Sequence, residues 1–502
     1  MEKKGDLDLK LNIIFGMVNQ ILLIILNLIS KNVIQTNLGI EYMGMQSVFS
    51  NVCDLLTFAF NGIGVGVLYS FYRPIEESNV VKIQQLYKYY DKVYRTMTCI
   101  SLGFGVFALF AMPFLINADV STMRVIVSYL LFLFSVVFYN RYVLLHYILI
   151  AFQKRYMVCL VSGIVESIIL FIEIIIITNT HSYELFLLCI LIKNLLVNYL
   201  VYVYLKKKYP QVFAKTATEE LPKEERTNIL RNLKDLIVCR VGSVLIHSTD
   251  SILISGIIST KMSGCYSNYY FVYSGVLGIG TTFFESIISK LGSISVKVSK
   301  NEFFQNFWKV SMVTIWLNGF CVTCYYLLIQ DFVQLWIGEE SILSSELVIV
   351  IAANLYLEGM KLVSSTYRKT VGLFDKFDRV ILIRGVLNLG LSILLGIYYG
   401  LIGILLATLI TNLITVYWYV PYRLYKYFEK SLKYELLYQV LGLSSLLVCI
   451  WITGTCSAWV EGTTWLGFGV KTLVCGIVSN GCYLVFALVY YLTEKRKKWN
   501  MQ

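Results

Sequence analysis

The sequence predicts an all-α polytopic membrane protein of about fourteen transmembrane helices. They are expected as two pseudo-symmetric six-helix lobes around a central cavity, with two more helices at the C-terminal end. Three observations predict it: an apolar composition, apolar runs of span length along the whole chain, and basic residues that return after every second run. Of 502 residues, 57% are hydrophobic and 15% charged, against roughly a quarter charged in a soluble protein. That excludes a disordered chain and a water-exposed catalytic domain. The runs lack alternation and the chain has only 5 prolines, so helices rather than a barrel cross the membrane. The net charge of +12 lies in short stretches between apolar runs. A nucleic-acid binder gathers its charge on one soluble face, so no nucleic-acid partner is expected.

Since about 20 apolar residues make one span, the runs near 11–31, 41–70, 93–116, 122–150, 157–178, 184–205, 232–258, 263–290, 306–329, 342–366, 378–398, 401–422, 436–455 and 464–492 give fourteen candidates. The opening MEKKGDLDLK and Leu11–Ser30 carry no small-residue cleavage site and read as an uncleaved first span. Basic residues fix the phase. With the N-terminus inside, 37 of the 43 Lys and Arg fall at the N-terminus, in 73–95, 141–155, 206–234, 290–309, 361–384 and 423–433, and in the tail. The exceptions are Lys31, Arg124, Lys193, Arg240, Lys261 and Lys471. Both termini are therefore expected in the cytoplasm of a multi-pass plasma-membrane protein.

Outer connections such as Asn117–Val120 and Ser259–Met262 are a handful of residues long. The one sizeable connection is KKKYPQVFAKTATEELPKEER (206–226), a polar linker expected inside. Segment 73–95 reads as a basic and aromatic helix at the inner headgroup level. The chain is thus divided into an N-terminal lobe (1–206), a cytoplasmic linker (207–231), a C-terminal lobe (232–422), an additional helix pair (436–492) and a basic tail (493–502). A Gly-x-x-Ser opens the second span of each half, at Gly44–Ser47 and Gly264–Ser267, and GIG follows at 62–64 and 278–280. Six spans return the chain to its starting side, so such a repeat is parallel and its two lobes face a cavity.

Charged groups in hydrocarbon cost ~2.5 kcal/mol and upward, and belong on a cavity or a partner. At about 100° per residue, the first span gathers Asn12, Gly16, Asn19, Gln20 and Asn27 on one stripe. The second gathers Ser47, Asn51, Asp54 and Asn61, the seventh Arg240, Ser243, His247, Asp250 and Ser251, and the tenth Asn354, Glu358, Lys361 and Ser365. Cavity lining is one reading of these stripes; hydrogen bonding between helices, or an i,i+3 pair for Glu358 and Lys361, is the other. Arg240 and Lys193 lie deep in their spans without an acid one turn away. Contact with a phosphate is the functional reading; snorkelling or a salt bridge to another helix is the structural one. Asp54, Asp250, Glu285 and Glu358, with Glu166 and Glu173, are candidates for proton or sodium coupling, against internally paired structural acids. No cofactor is expected. His146, His181 and His247 share no metal spacing, Cys321-x-x-Cys324 lacks a redox context, and the other cysteines read as packing residues. No Lys-Ser/Thr pair follows Gly62, Gly64 and Gly66, so a bend or close packing explains them.

The blocks LGIEYMGMQSVFSNVCDLLTFAFNGIG (38–64), TDSILISGIISTKMSGCYSNYYFV (249–272), LWIGEE (335–340), YRKTVGLFDKFDR (367–379) and LNLGLSILLGIYYGLIGILLATLI (387–410) resemble blocks of bacterial polysaccharide transporters. These are the lipid-linked oligosaccharide flippases of capsule, exopolysaccharide and O-antigen synthesis, in the multidrug/oligosaccharidyl-lipid/polysaccharide exporter superfamily. The resemblance runs from about residue 12 to about 430. It implies no enzyme but a V-shaped pair of bundles that moves an undecaprenyl-diphosphate-linked oligosaccharide across the bacterial plasma membrane by alternating access. Arg240 and Lys193 would receive the diphosphate, and Asn12, Asn19, Gln20, Asn27, Asn51, Ser243 and His247 would line the sugar path. Membrane lipids, glycosyltransferases and a polysaccharide polymerase are the implied partners. Arg384 departs from the pattern, standing where many relatives carry an acid. Rival readings are a drug/cation antiporter of the superfamily, a lipid II flippase, and an enzyme, a polymerase or ligase. The enzyme would need an external loop this chain lacks.

Overall fold

The structure, a computed structural model, describes residues 2–214, 220–227, 229, 242, 244–246, 248–371, 373 and 377–499. Among them every regular element is helical. In chain order these are α1 (Glu2–Leu38), α2 (Ile40–Glu76), α3 (Val80–Ala108), the short α4 (Met112–Leu115), α5 (Thr122–Ala151), α6 (Arg155–Thr180), α7 (Tyr183–Lys208), the short α8 (Thr249–Leu253), α9 (Thr260–Lys297), α10 (Lys300–Ile337), α11 (Ser345–Thr370), α12 (Phe377–Ile414), α13 (Val416–Phe428), α14 (Lys433–Ser457) and α15 (Trp465–Trp499).

The protein is a multi-pass membrane protein. Among the described residues nine helical stretches are long and apolar enough to cross a membrane, and ten if bent α2 is one span. The fourteen expected are not reached, for identifiable reasons. Two expected spans, 378–398 and 401–422, lie in one continuous stretch, Val380–Phe428. Run 93–116 begins in α3, whose charged residues keep it off that count, and run 263–290 lies in α9, several of whose side chains lie outside the described residues. Most of 232–243 lies outside the described residues.

Breaks in the helices follow from glycine. Gly39, at φ 101°, separates α1 from α2, and Gly400, at φ 62°, kinks α12 between its two expected spans. Both angles are costly for a residue with a Cβ. Helix α2 bends by 43° between Phe58 and Gly62. Just beyond, Gly64 lies so close to α5 that a Cβ would sit 2.0 Å from the Tyr147 ring. The glycine run is both a bend and a close contact.

Two compact units divide the chain, Met1–Gly264 and Cys265–Gln502. In the first, α5 packs on α7, α2 and α3, and α1 packs along α6. Segment 73–95 is not a single separate helix. It is the end of α2 and the first half of α3, drawn inward because Ile83, Leu86, Tyr90 and Tyr94 are buried beside Phe60, Val67 and Phe71. The connection after α7 is also partly folded. Val212 and Leu221 join that core, Gln84 donates to the Gln211 carbonyl at 2.9 Å, and Lys82 pairs with Glu225.

In the second unit, α10 packs on α11, α14 and α15, and α11 on α12 and α13. Where α10 begins, Phe303, Phe304 and Phe307 meet Tyr367, Tyr425, Phe428 and Tyr434 in one aromatic cluster, with ring centroids 5.1–5.9 Å apart. Such rings add about 0.5–1.5 kcal/mol per pair beyond burial. Phe307→Ala is therefore expected to destabilise the protein by about 3–5 kcal/mol, read as a lower thermal midpoint in detergent. An unchanged midpoint would show that the cluster contributes no stability.

Candidate functional site

The first unit distributes the candidate polar residues over distinct tasks. Asn12 is fixed to the α5–α6 corner. Its Nδ2 donates to the Gln153 carbonyl at 2.8 Å, and its Oδ1 accepts from the Tyr156 backbone N–H at 2.8 Å. Asn19 faces α6, where Gly163 leaves room for it: a Cβ there would lie 2.7 Å from Asn19 Oδ1. Asn12 thus hydrogen-bonds α1 to the start of α6, as polar groups do between membrane helices, while Asn19 only packs there, its Oδ1 buried without a donor among the described residues. Gln20 and Asn27 of the same stripe are exposed, and among the described residues Asn27 bonds only its own helix, at the Leu23 carbonyl. On α2, half-buried Asn51 donates to the Ser47 carbonyl and Asp54 is exposed. Asp250, in α8, is buried at 6% exposure. Arg240, Ser243 and His247 lie outside the described residues, as does the side chain of Glu285.

Lys193 has a partner on another helix. Its Nζ lies 2.9 Å from Glu166 Oε1 of α6. Glu173, seven residues on and so on the same face of α6, is buried at 5% exposure. Spacing within α7 showed no acid for Lys193 because the acid comes from the adjoining helix. Below the pair the seam between α5 and α7 stays polar. Asn194 Nδ2 donates to Ser135 Oγ at 2.8 Å, and His146 Nε2 meets Asn198 Oδ1 at 3.0 Å.

In the second unit a charged cluster sits between α11 and α12. Glu358 Oε1 accepts from Lys361 Nζ at 2.9 Å, from Arg384 Nη2 at 3.0 Å and from Asn412 Nδ2 at 3.1 Å. Lys361 also donates to Asn412 Oδ1 at 2.9 Å. The side chains of Arg384, Lys361 and Glu358 are 5%, 10% and 17% exposed. Polar groups continue along both helices: Asn354 Nδ2 bonds the Val350 and Leu405 carbonyls, and Asn388 Nδ2 bonds Thr408 and Thr411. The i,i+3 pair of Glu358 and Lys361 was legible in the sequence; Asn388 and Asn412 were missed. Their signal is a polar residue inside a long apolar run, as Thr411-Asn412 stands within LIGILLATLITNLITVYW. No group of His, Cys, Asp and Glu among the described residues is placed to hold a metal ion.

No family model and no curated protein matches the chain. Solved structures do. A chain described as "Lipid II flippase MurJ, inward closed conformation" superposes with a TM-score of 0.67 at 18% identity, covering 96% of this chain and 99% of that one. A "multidrug resistance MATE family transporter of the MOP superfamily" in its inward-facing conformation gives 0.62 at 14%, covering 80% and 94%. A Vibrio cholerae MATE transporter gives 0.55 at 12%, covering 87% and 99%. At these identities the likeness is one of fold. The chain shares the all-helical fold of these structures.

Proposed function

We propose that the protein is an alternating-access transporter that moves a polyprenyl-diphosphate-linked sugar from the inner to the outer leaflet. The observation that carries this reading is the extent of the match to the lipid II flippase, 96% of this chain at a TM-score of 0.67, where the inward-facing multidrug transporter accounts for 80%. A lipid-II-like substrate is accordingly favoured over the narrower capsule or O-antigen repeat unit. The physics asks for a wet path only. Carrying many hydroxyls through hydrocarbon is prohibitive, and a polar route between helices removes that barrier without breaking a bond. In this reading the tail stays in the bilayer and Arg240 receives the diphosphate with a planar, bidentate guanidinium. Gln20, Asn27, Asn51, Ser243 and His247 meet sugar. Lys193 can join Arg240 only by exchanging Glu166 for phosphate, so its contribution is secondary.

The test compares outward-accessible lipid-linked sugar in membrane vesicles carrying the wild type, Arg240→Ala and Arg240→Lys. Accessibility is expected to fall at least tenfold for Arg240→Ala, the loss of about one charge-assisted contact, with part retained by Arg240→Lys. Wild-type accessibility in Arg240→Ala would remove that residue from the mechanism.

A further inference from the structure

Among the described residues the α11–α12 cluster does not balance its own charge. Glu358 is one acid, while Lys361 and Arg384 are two cations, all within 3.0 Å of the same carboxylate oxygen. Tyr273 of α9, also within the field of Glu358 and Arg384, brings a hydroxyl rather than an acid. Taking an uncompensated charge out of water costs several kcal/mol, so the excess calls for a counter-ion.

The donors for one are present. An ammonium has three N–H groups and a guanidinium five. Two acceptors are accounted for at Lys361, and Arg384, 5% exposed, leaves its buried Nε–H with no acceptor among the described residues. Farther along the same helices, Asn354 Oδ1, Asn388 Oδ1 and Ser392 Oγ are also buried without a partner among the described residues. Buried polar atoms in that condition ordinarily hold water or an ion. We propose that this seam binds a small inorganic anion of the chloride class, held by Arg384 and Lys361 against the single negative charge of Glu358. With only 5–17% of each charged side chain exposed, the seam suits a compact ion rather than a sugar diphosphate. The proposal goes beyond the transported substrate and does not depend on it.

Its test uses purified full-length protein in detergent, with chloride titrated against gluconate at constant ionic strength and the thermal midpoint followed. The wild-type midpoint is expected to rise and saturate. Glu358→Gln, which removes the internal anion, is expected to saturate at about tenfold lower chloride, and Arg384→Gln at no less than tenfold higher, each the effect of about one charge contact. A cluster that were only a structural ion pair would give no tightening in Glu358→Gln. A flat wild-type response, or an identical titration in Arg384→Gln, overturns the proposal. Should Arg384→Gln fail to fold, broadening of the chloride NMR line by wild-type protein decides the matter: broadening that excess bromide reverses supports the site, and none overturns it. Because the readout is binding, a failure to transport lipid-linked sugar leaves this result untouched.

Discussion

Gly44→Ala is expected to be among the most damaging single substitutions in the first unit. The α2 backbone at Gly44 lies against the start of α9 so closely that a Cβ would sit 1.9 Å from the Thr260 carbonyl oxygen. The approach is mutual. A Cβ on Gly264 would sit 2.4 Å from the Ile40 carbonyl oxygen and 3.1 Å from the Gly44 nitrogen. Backbone cannot swing aside as a side-chain tip can, so the two helices would have to separate. The loss is about 3 kcal/mol, measured as a lower thermal midpoint. Gly16→Ala is the control: nothing lies within 4 Å of its Cβ position, and alanine is the better helix former. Equal midpoints for the two variants would show that the Gly44 crossing yields without cost.

Glu358→Ala is expected to have a comparable effect in the second unit, for an electrostatic reason. The substitution leaves the Lys361 and Arg384 charges together without the oxygen that accepts from both. Breaking a buried pair by removing one partner costs about 3–5 kcal/mol. Ion pairing as such does not carry that penalty. Glu429 pairs with Lys300 at 2.8 Å, but their side chains are 75% and 56% exposed, and Glu429→Ala should leave the midpoint unchanged because water replaces the partner. If the two glutamate variants melt alike, the α11–α12 cluster is hydrated and its charges are not the stabilising element described here.

The helical class and most span positions were legible because run length and apolar character are local properties. The two Gly-x-x-Ser segments were aligned as equivalent positions, and their glycines, Gly44 and Gly264, prove to touch. What spacing could not supply was partners across helices. Periodicity placed Asn12, Asn19, Gln20 and Asn27 on one stripe, yet the neighbouring α6 bonds Asn12 and packs against Asn19 while Gln20 and Asn27 stay exposed. A stripe argument sees a helix alone. Lys193 and Glu166 are 27 residues apart, and Glu358 and Asn412 are 54 apart. No i,i+3 or i,i+4 rule reaches those distances.

Purified protein in liposomes containing a fluorescent polyprenyl-diphosphate-linked sugar tests the central claim most directly. A membrane-impermeant quencher is added outside, and a cationic dye is assayed in parallel. The account predicts that the protein exposes inner-leaflet lipid-linked sugar to the quencher while leaving dye distribution unchanged. Movement of the dye with the sugar still confined to its own leaflet would contradict it.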